Sequence, residues 1–171
     1  ERVLEVADVL ARAFQMEDEE REALRIAALL HDMGMTAVGE GVTHTDRTLT
    51  TVERALLKMH PQIAAEILAE APALRRVVPI VYHHHEWYDG GGYLGGLSGE
   101  SIPIGARILA VADAFVAMTS DRPYRRAMTM AEALRELTDK AGTQFDPAVV
   151  DALRDILRSG SDRVPGPSSD R

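Results

Sequence analysis

The sequence predicts an all-α domain carrying one glycine-rich loop after a His-His-Glu motif. Three observations carry that expectation. Apolar residues recur at helical spacing along most of the chain. No segment shows the period-two alternation of a half-buried strand. The longest irregular stretch, Glu86 to Pro103, holds six glycines and must be a loop.

Taken in order, Val3, Val6, Ala7, Leu10 and Phe14 share a face and predict an amphipathic helix over residues 2–15. The acidic "MEDEE" breaks the pattern and leads into a second helix, from about Glu20 to Met33. Its core face holds Leu24, Ala27, Ala28 and His31, and Gly34 is expected to end it as a C-cap. "VGEGVTHTDRTLT" reads as a polar loop. Thr50 with Glu53 resembles a capping box for a helix over 51–58. Pro61 suits the first turn of a helix over 61–70, with His60 at its cap. Pro72 is expected to open another, reaching about residue 85. Further helices are predicted at 104–119, 130–140 and 147–158. The tail "SGSDRVPGPSSDR" has the composition of a disordered segment, so the domain is expected at 1–158 and a tail at 159–171.

The bulk numbers narrow the function. At 171 residues the chain can bury one proper core. No apolar run is long enough to span a bilayer, and no signal peptide is evident. The absence of cysteine excludes disulfides and thiolate metal ligands, and fits a reducing compartment. A net charge of −8 argues against DNA or any long polyanion as partner. A small anionic substrate then needs positive charge supplied locally. The chain begins at Glu1 in mid-pattern and reads as a piece of a longer protein.

Several polar residues stand where apolar ones are expected. Asp113 is the single charge within Ile108–Met118. A buried carboxylate needs a cation, a hydrogen-bond network or a proton; otherwise Asp113 lies on a solvent stripe or caps a neighbour. His31 falls on a core face with Asp32 directly after it. His60 precedes Pro61. His84 and His85 end an apolar segment. Each has an ordinary explanation: a hydrogen-bonded core histidine, a cap, or an imidazolium at a helix C-terminus. Together they form a set of imidazoles and carboxylates that suits Fe, Mn, Zn, Co or Ni. Such a set makes a two-metal site plausible, with ions about 3.5–4 Å apart and an aspartate bridging them through its two oxygens.

The motifs "LLHDMGM", "HPQIAAEIL", "HHEWYDGGGYLGGLSGESIP", "ARILAVADAFVAMTSDRPYR" and "GTQFDPAVV" make the chain resemble the HD-GYP domain, a branch of the HD metal-dependent phosphohydrolases. The likeness runs from Glu1 to about Leu157. It implies an HD-domain helical bundle built on a five-helix core and a centre of two or three divalent ions, commonly Fe or Mn. It implies hydrolysis of cyclic di-GMP to pGpG or GMP by a hydroxide bridging the ions. The implied metal ligands are His31, Asp32, His60, His84, His85 and Asp113, with His83 on a non-ligand position. The implied catalytic residues are Asp32 and the phosphate-contacting Arg122 and Arg125. An upstream sensory or receiver domain, a diguanylate cyclase partner and a bacterial cytoplasmic setting are implied as well.

Two positions depart from that family's pattern. Met35 stands where the motif carries a lysine, and Leu94 where Gly-Tyr-Pro carries its proline. The loop after Met35 also lacks the family's Pro-Asp and lysine-bearing pattern. Ligands for a third metal would lie before Glu1. The expectation is a phosphodiesterase slowed by the loss of one cation. Its rivals are a degenerate module that binds metal, nucleotide or protein, and a hydrolase of another nucleotide.

Overall fold

In the computed structural model, which describes residues 1–38, 47–121 and 126–160, eight α-helices are joined by short turns. Among the described residues the one β-contact is an isolated bridge between Ala141 and Phe145. The all-α expectation therefore holds. No described helix is long and apolar enough to cross a membrane.

Helix α1 (Arg2–Ala13) buries Val6, Ala7, Leu10 and Ala11. It stops before the predicted residue 15 because Gln15 adopts φ 52° and Met16 N–H returns to the Ala11 carbonyl, a Schellman-type ending. Helix α2 (Asp18–Leu30) starts earlier than predicted. Glu17 and Glu20 cap each other's backbone N–H groups in a reciprocal box. It also ends earlier, leaving His31 as its C-cap.

Gly34 is not that helix's C-cap. It lies inside a 3-10 turn, Met33–Ala37, and is buried against the next long helix. A Cβ there would sit 2.0 Å from the His60 carbonyl oxygen, so glycine is required for close approach.

Helix α3 (Thr51–Lys58) forms where the Thr50–Glu53 capping box predicts it. Helix α4 (His60–Ala69) takes His60 into its first turn, with Met59 as N-cap. His60 is thus inside the helix rather than its cap. The helix predicted from Pro72 is interrupted. Pro72–Leu74 makes only a 3-10 turn, and helix α5 covers Val78–His83. Pro79 explains the break, since its ring and missing N–H are tolerated only in a first turn.

Helix α6 (Ile104–Met118) is the central element. It packs on α1, α2 and α5, and on the two last helices, α7 (Met130–Asp139) and α8 (Pro147–Ser159). Ile108, Leu109, Val111, Ala112 and Phe115 of α6 are fully or almost fully buried. They join Leu10, Leu24, Val81, Leu137 and Leu153 in one core. Burying each of the larger aliphatic side chains stabilises the fold by about 1.5–3 kcal/mol. The predicted tail lies, from residue 161 onward, outside the described residues.

Candidate metal centre

Four elements bring the six candidate ligands together. His31 closes α2 and Asp32 follows it. His60 sits in the first turn of α4. His84 and His85 follow α5, and Asp113 projects from the middle of α6. The close approach allowed by Gly34 seats α4 beside the turn that carries Asp32.

Three of the histidines share one arrangement. Nδ1 of His31 donates to the Ala28 carbonyl at 3.1 Å, that of His60 to Leu57 at 2.7 Å, and that of His84 to Val81 at 2.7 Å. A carbonyl only accepts, so each bond places a proton on Nδ1 and leaves Nε2 with its lone pair in the neutral ring. The three Nε2 atoms are buried and have no hydrogen-bond partner. A buried polar atom left without a hydrogen bond costs about 1–3 kcal/mol, and here three converge, that of His31 with only the carboxylates of Asp32 and Asp113 in ion-pair reach. A divalent cation would relieve all of them, and an imidazole anchored through its other nitrogen is the usual form of a metal-ligating histidine.

Nitrogen atoms of His60, His84 and His85 lie within 4.8 Å of one another, close enough to hold one ion. The His84 and His85 rings are 3.9 Å apart between centroids. Asp32 spans the two halves of the cluster. Its Oδ2 is 3.3 Å from His31 Nε2 and its Oδ1 is 3.5 Å from His60 Nε2. Asp113 Oδ1 lies 3.8 Å from His31 Nε2. That resolves the choice left open for Asp113: it faces the cluster. The donor set is imidazole and carboxylate, and it fits divalent transition metals.

The electrostatics follow from the crowding. Burial, then the neighbouring His85, hold the His84 pKa well below its usual value. Burial and His60 bring His85 down to about 4. Burial also pulls His31 down, but Asp113 and Asp32 outweigh it and raise its pKa to about 10. Desolvation raises the Asp32 pKa, yet His31 and His60 hold it at about 2. In the metal-free protein a proton on His31 thus competes with a metal for the same nitrogen.

A pH dependence of stability follows. Folded His84 and His85 resist protonation, whereas in the unfolded chain they take up protons near 6.5. Below that pH the unfolded state binds more protons, so stability falls as pH drops from about 6.5 towards 4. His31 acts oppositely: its contribution is complete below 6.5 and fades only as pH rises towards 10. Thermal melts of metal-free protein are expected to show Tm falling between pH 7 and 4, less steeply in His85→Gln. A Tm that rises on acidification would contradict this account.

The first histidine of the run, His83, faces elsewhere. His83 Nδ1 lies 3.6 Å from Oε1 of Glu86, beneath the glycine-rich loop. The Glu86 side chain is fully buried, and its Oε1 accepts from Gly95 N–H. Sequence reading gave Glu86 no role; its burial follows from a loop that folds back over it, which has no local signal. The same reading missed Lys58. Its Nζ lies 5.3 Å from the centroid of the Tyr93 ring, which in turn lies 5.1 Å from the His85 ring. Leu94 adopts φ 89°, a value that the ring of a proline forbids. The loop conformation at this position is therefore one that a Gly-Tyr-Pro sequence does not share. Arg122 and Arg125 lie outside the described residues.

The chain is similar to several known proteins. A model of the HD domain family matches residues 1–149. The cyclic di-GMP phosphodiesterase response regulator RpfG of Xanthomonas campestris pv. campestris is 43% identical over 155 residues, covering 90% of this chain and 41% of that protein. The cyclic di-GMP phosphodiesterase PA4108 of Pseudomonas aeruginosa is 40% identical, covering 84% of this chain and 35% of that protein. The 3'3'-cGAMP-specific phosphodiesterase 3 of Vibrio cholerae is 34% identical, covering 92% and 34%. The chain thus spans less than half the length of these relatives. Among solved structures, a cyclic GMP-AMP-specific phosphodiesterase of V. cholerae superposes with a TM-score of 0.71 at 19% identity, over 92% of this chain and 43% of that one. Bd1817 of Bdellovibrio bacteriovorus, described as an HDG"Y"P protein, also gives 0.71, at 22% identity, over 92% and 51%. These two likenesses carry the fold. With the family match over most of its length and the histidine–aspartate cluster in place, this chain belongs to the HD domain family.

Proposed function

We propose that this chain, as a domain of residues 1–158, is a metal-dependent phosphodiesterase of the HD-GYP branch that hydrolyses a cyclic dinucleotide. Cyclic di-GMP, cut to pGpG or GMP, is the first substrate to test. The observation that carries the reading is the convergence of three orphaned Nε2 atoms on a carboxylate that faces two of them. The names of the most similar relatives support the substrate class.

Two or three Fe or Mn ions bound there would supply Lewis-acid stabilisation of the phosphoryl oxygens and a nucleophilic water at neutral pH. The chain's own part is positioning. His31 and Asp113 would hold one side of the centre and His60, His84 and His85 the other, with Asp32 between them. The carbonyl-anchored Nδ1 protons keep the rings from turning, so the ligands need no rearrangement as charge develops. Arg122 and Arg125 are assigned to the substrate phosphates. Lys58, beside Tyr93, adds positive charge to a chain of net charge −8. Met35 offers neither charge nor proton, and we assign to it a reduced rate. An upstream sensory or receiver domain and a diguanylate cyclase partner belong to this proposal too; RpfG is named a response regulator.

Met35 and the φ of Leu94 also favour a second reading, in which the domain binds without turnover or prefers another dinucleotide. One experiment separates these. Purified protein is reconstituted with Fe or Mn, bound metal is quantified, and cyclic di-GMP and 3'3'-cGAMP are followed by chromatography. Metal-dependent appearance of linear product from cyclic di-GMP is expected. Cleavage of 3'3'-cGAMP alone would reassign the substrate, and metal-loaded protein that cleaves neither would make this a binding module.

A further inference from the structure

We infer that Trp87 is the stacking platform for a nucleobase of the substrate, with the Gln144 amide beside it for the base edge. The inference rests on the phosphodiesterase reading above and adds to it where the base lies.

Trp87 is the chain's sole tryptophan and is 40% exposed. A single exposed apolar side chain needs no explanation by itself. Its position does. A depression of about 90 Å³ is lined by His84, His85 and Asp113 of the candidate centre together with Trp87, Gln144 and Phe145. Leu29, Val52, Leu56, Met59 and Ile67, the other large exposed apolar residues among the described ones, do not line it.

The backbone that carries the indole is fastened in place. Gly90 N–H donates to the Trp87 carbonyl at 2.9 Å. The chain at Gly92 passes so close that a Cβ there would lie 2.3 Å from the Trp87 nitrogen. Tyr88 N–H donates to the Gln144 carbonyl at 3.2 Å and Asp89 N–H to that of Thr143 at 2.9 Å. These bonds fasten the stretch after Trp87 to the segment that carries Gln144. The result is an aromatic side chain on a fixed backbone, lining the same depression as a residue whose side-chain amide has both donors and an acceptor.

A depression of this size takes a phosphate-sized group, not a purine. The base must therefore lie on the rim, and the rim offers the indole. Stacking on an aromatic face tolerates any base, whereas an amide can distinguish one base edge from another. Guanine or adenine on Trp87 would leave the phosphodiester directed at His84, His85 and Asp113 beneath.

The test uses Mn-loaded protein. Emission of the sole tryptophan is titrated with cyclic di-GMP, with 3'3'-cGAMP, and with inorganic phosphate as a base-free probe. Retention of each dinucleotide is measured in parallel by rapid ultrafiltration. The expected result is a change in emission with a dinucleotide and none with phosphate. Trp87→Ala is expected to weaken binding about tenfold or more, and Trp87→Phe, which keeps a stacking face, about threefold or less. Retention of a dinucleotide with unchanged emission, and with full affinity in Trp87→Ala, would overturn the inference while leaving the phosphodiesterase reading intact. Retention of no dinucleotide would remove that reading, and this inference with it.

Discussion

Asp32→Ala is expected to lose at least one metal ion per chain and about a thousandfold in turnover. The reason is geometric. Asp32 sends one oxygen towards His31 and the other towards His60, so it is the residue placed to join the two halves of the centre. Its carboxylate stays ionised down to about pH 2, because His31 and His60 offset the desolvation of the cluster. Alanine removes both oxygens and the charge together. Removing one preorganised electrostatic contact from an active site typically costs about a hundredfold to a thousandfold. A residue placed to hold ions on both sides of the centre would belong at the upper end. Metal content by mass spectrometry and product formation by chromatography read the two effects separately. A full metal complement with a rate within about tenfold of the parent protein would remove Asp32 from the centre.

Gly34→Ala is expected to destabilise the fold by about 3 kcal/mol or more and to disturb the site at the same time. The added Cβ would meet the His60 carbonyl oxygen at 2.0 Å, the His60 carbonyl carbon at 2.9 Å and the Ala64 nitrogen at 3.0 Å. All three are backbone atoms, so no rotamer change makes room. Overpacking of this kind costs about 1–3 kcal/mol even when flexible side chains absorb it. Here α4 must move as a body, and it takes His60 with it. Alanine is otherwise favourable in a helical turn, so the steric effect is isolated from propensity. Urea denaturation measures the loss, and metal content measures the displacement of His60. A loss below about 1 kcal/mol would mean that α4 is not seated on this turn.

Much of this was legible before any coordinates. Capping residues, apolar periodicity and the prolines placed most helices to within a few residues, because they are local signals and helix formation is a local event. The errors have local causes too. Gln15 ended α1 through a positive φ that non-glycine residues seldom adopt. Pro79 cut the helix expected to begin at Pro72, because proline is tolerated only in a helix's first turn. Gly34 has the sequence context of a cap, since glycine serves both for left-handed backbone and for close approach, but only the second applies here.

For the site, residue order alone shows which residue types stand at helix ends and on core faces: His31, Asp32, His60, His84, His85 and Asp113. It also determined what they exclude, since a chain without cysteine cannot build a thiolate centre. Only the packing of the helices shows that Asp113, although partly exposed, lies beside His31, that Asp32 spans His31 and His60, and that His83 turns instead to the buried Glu86. It alone placed Lys58 against Tyr93 and Trp87 beside the histidines. Spacing along a helix specifies a face, because the helix repeats every 3.6 residues. What that face meets depends on which other helices pack on it, and that is set by the whole core at once.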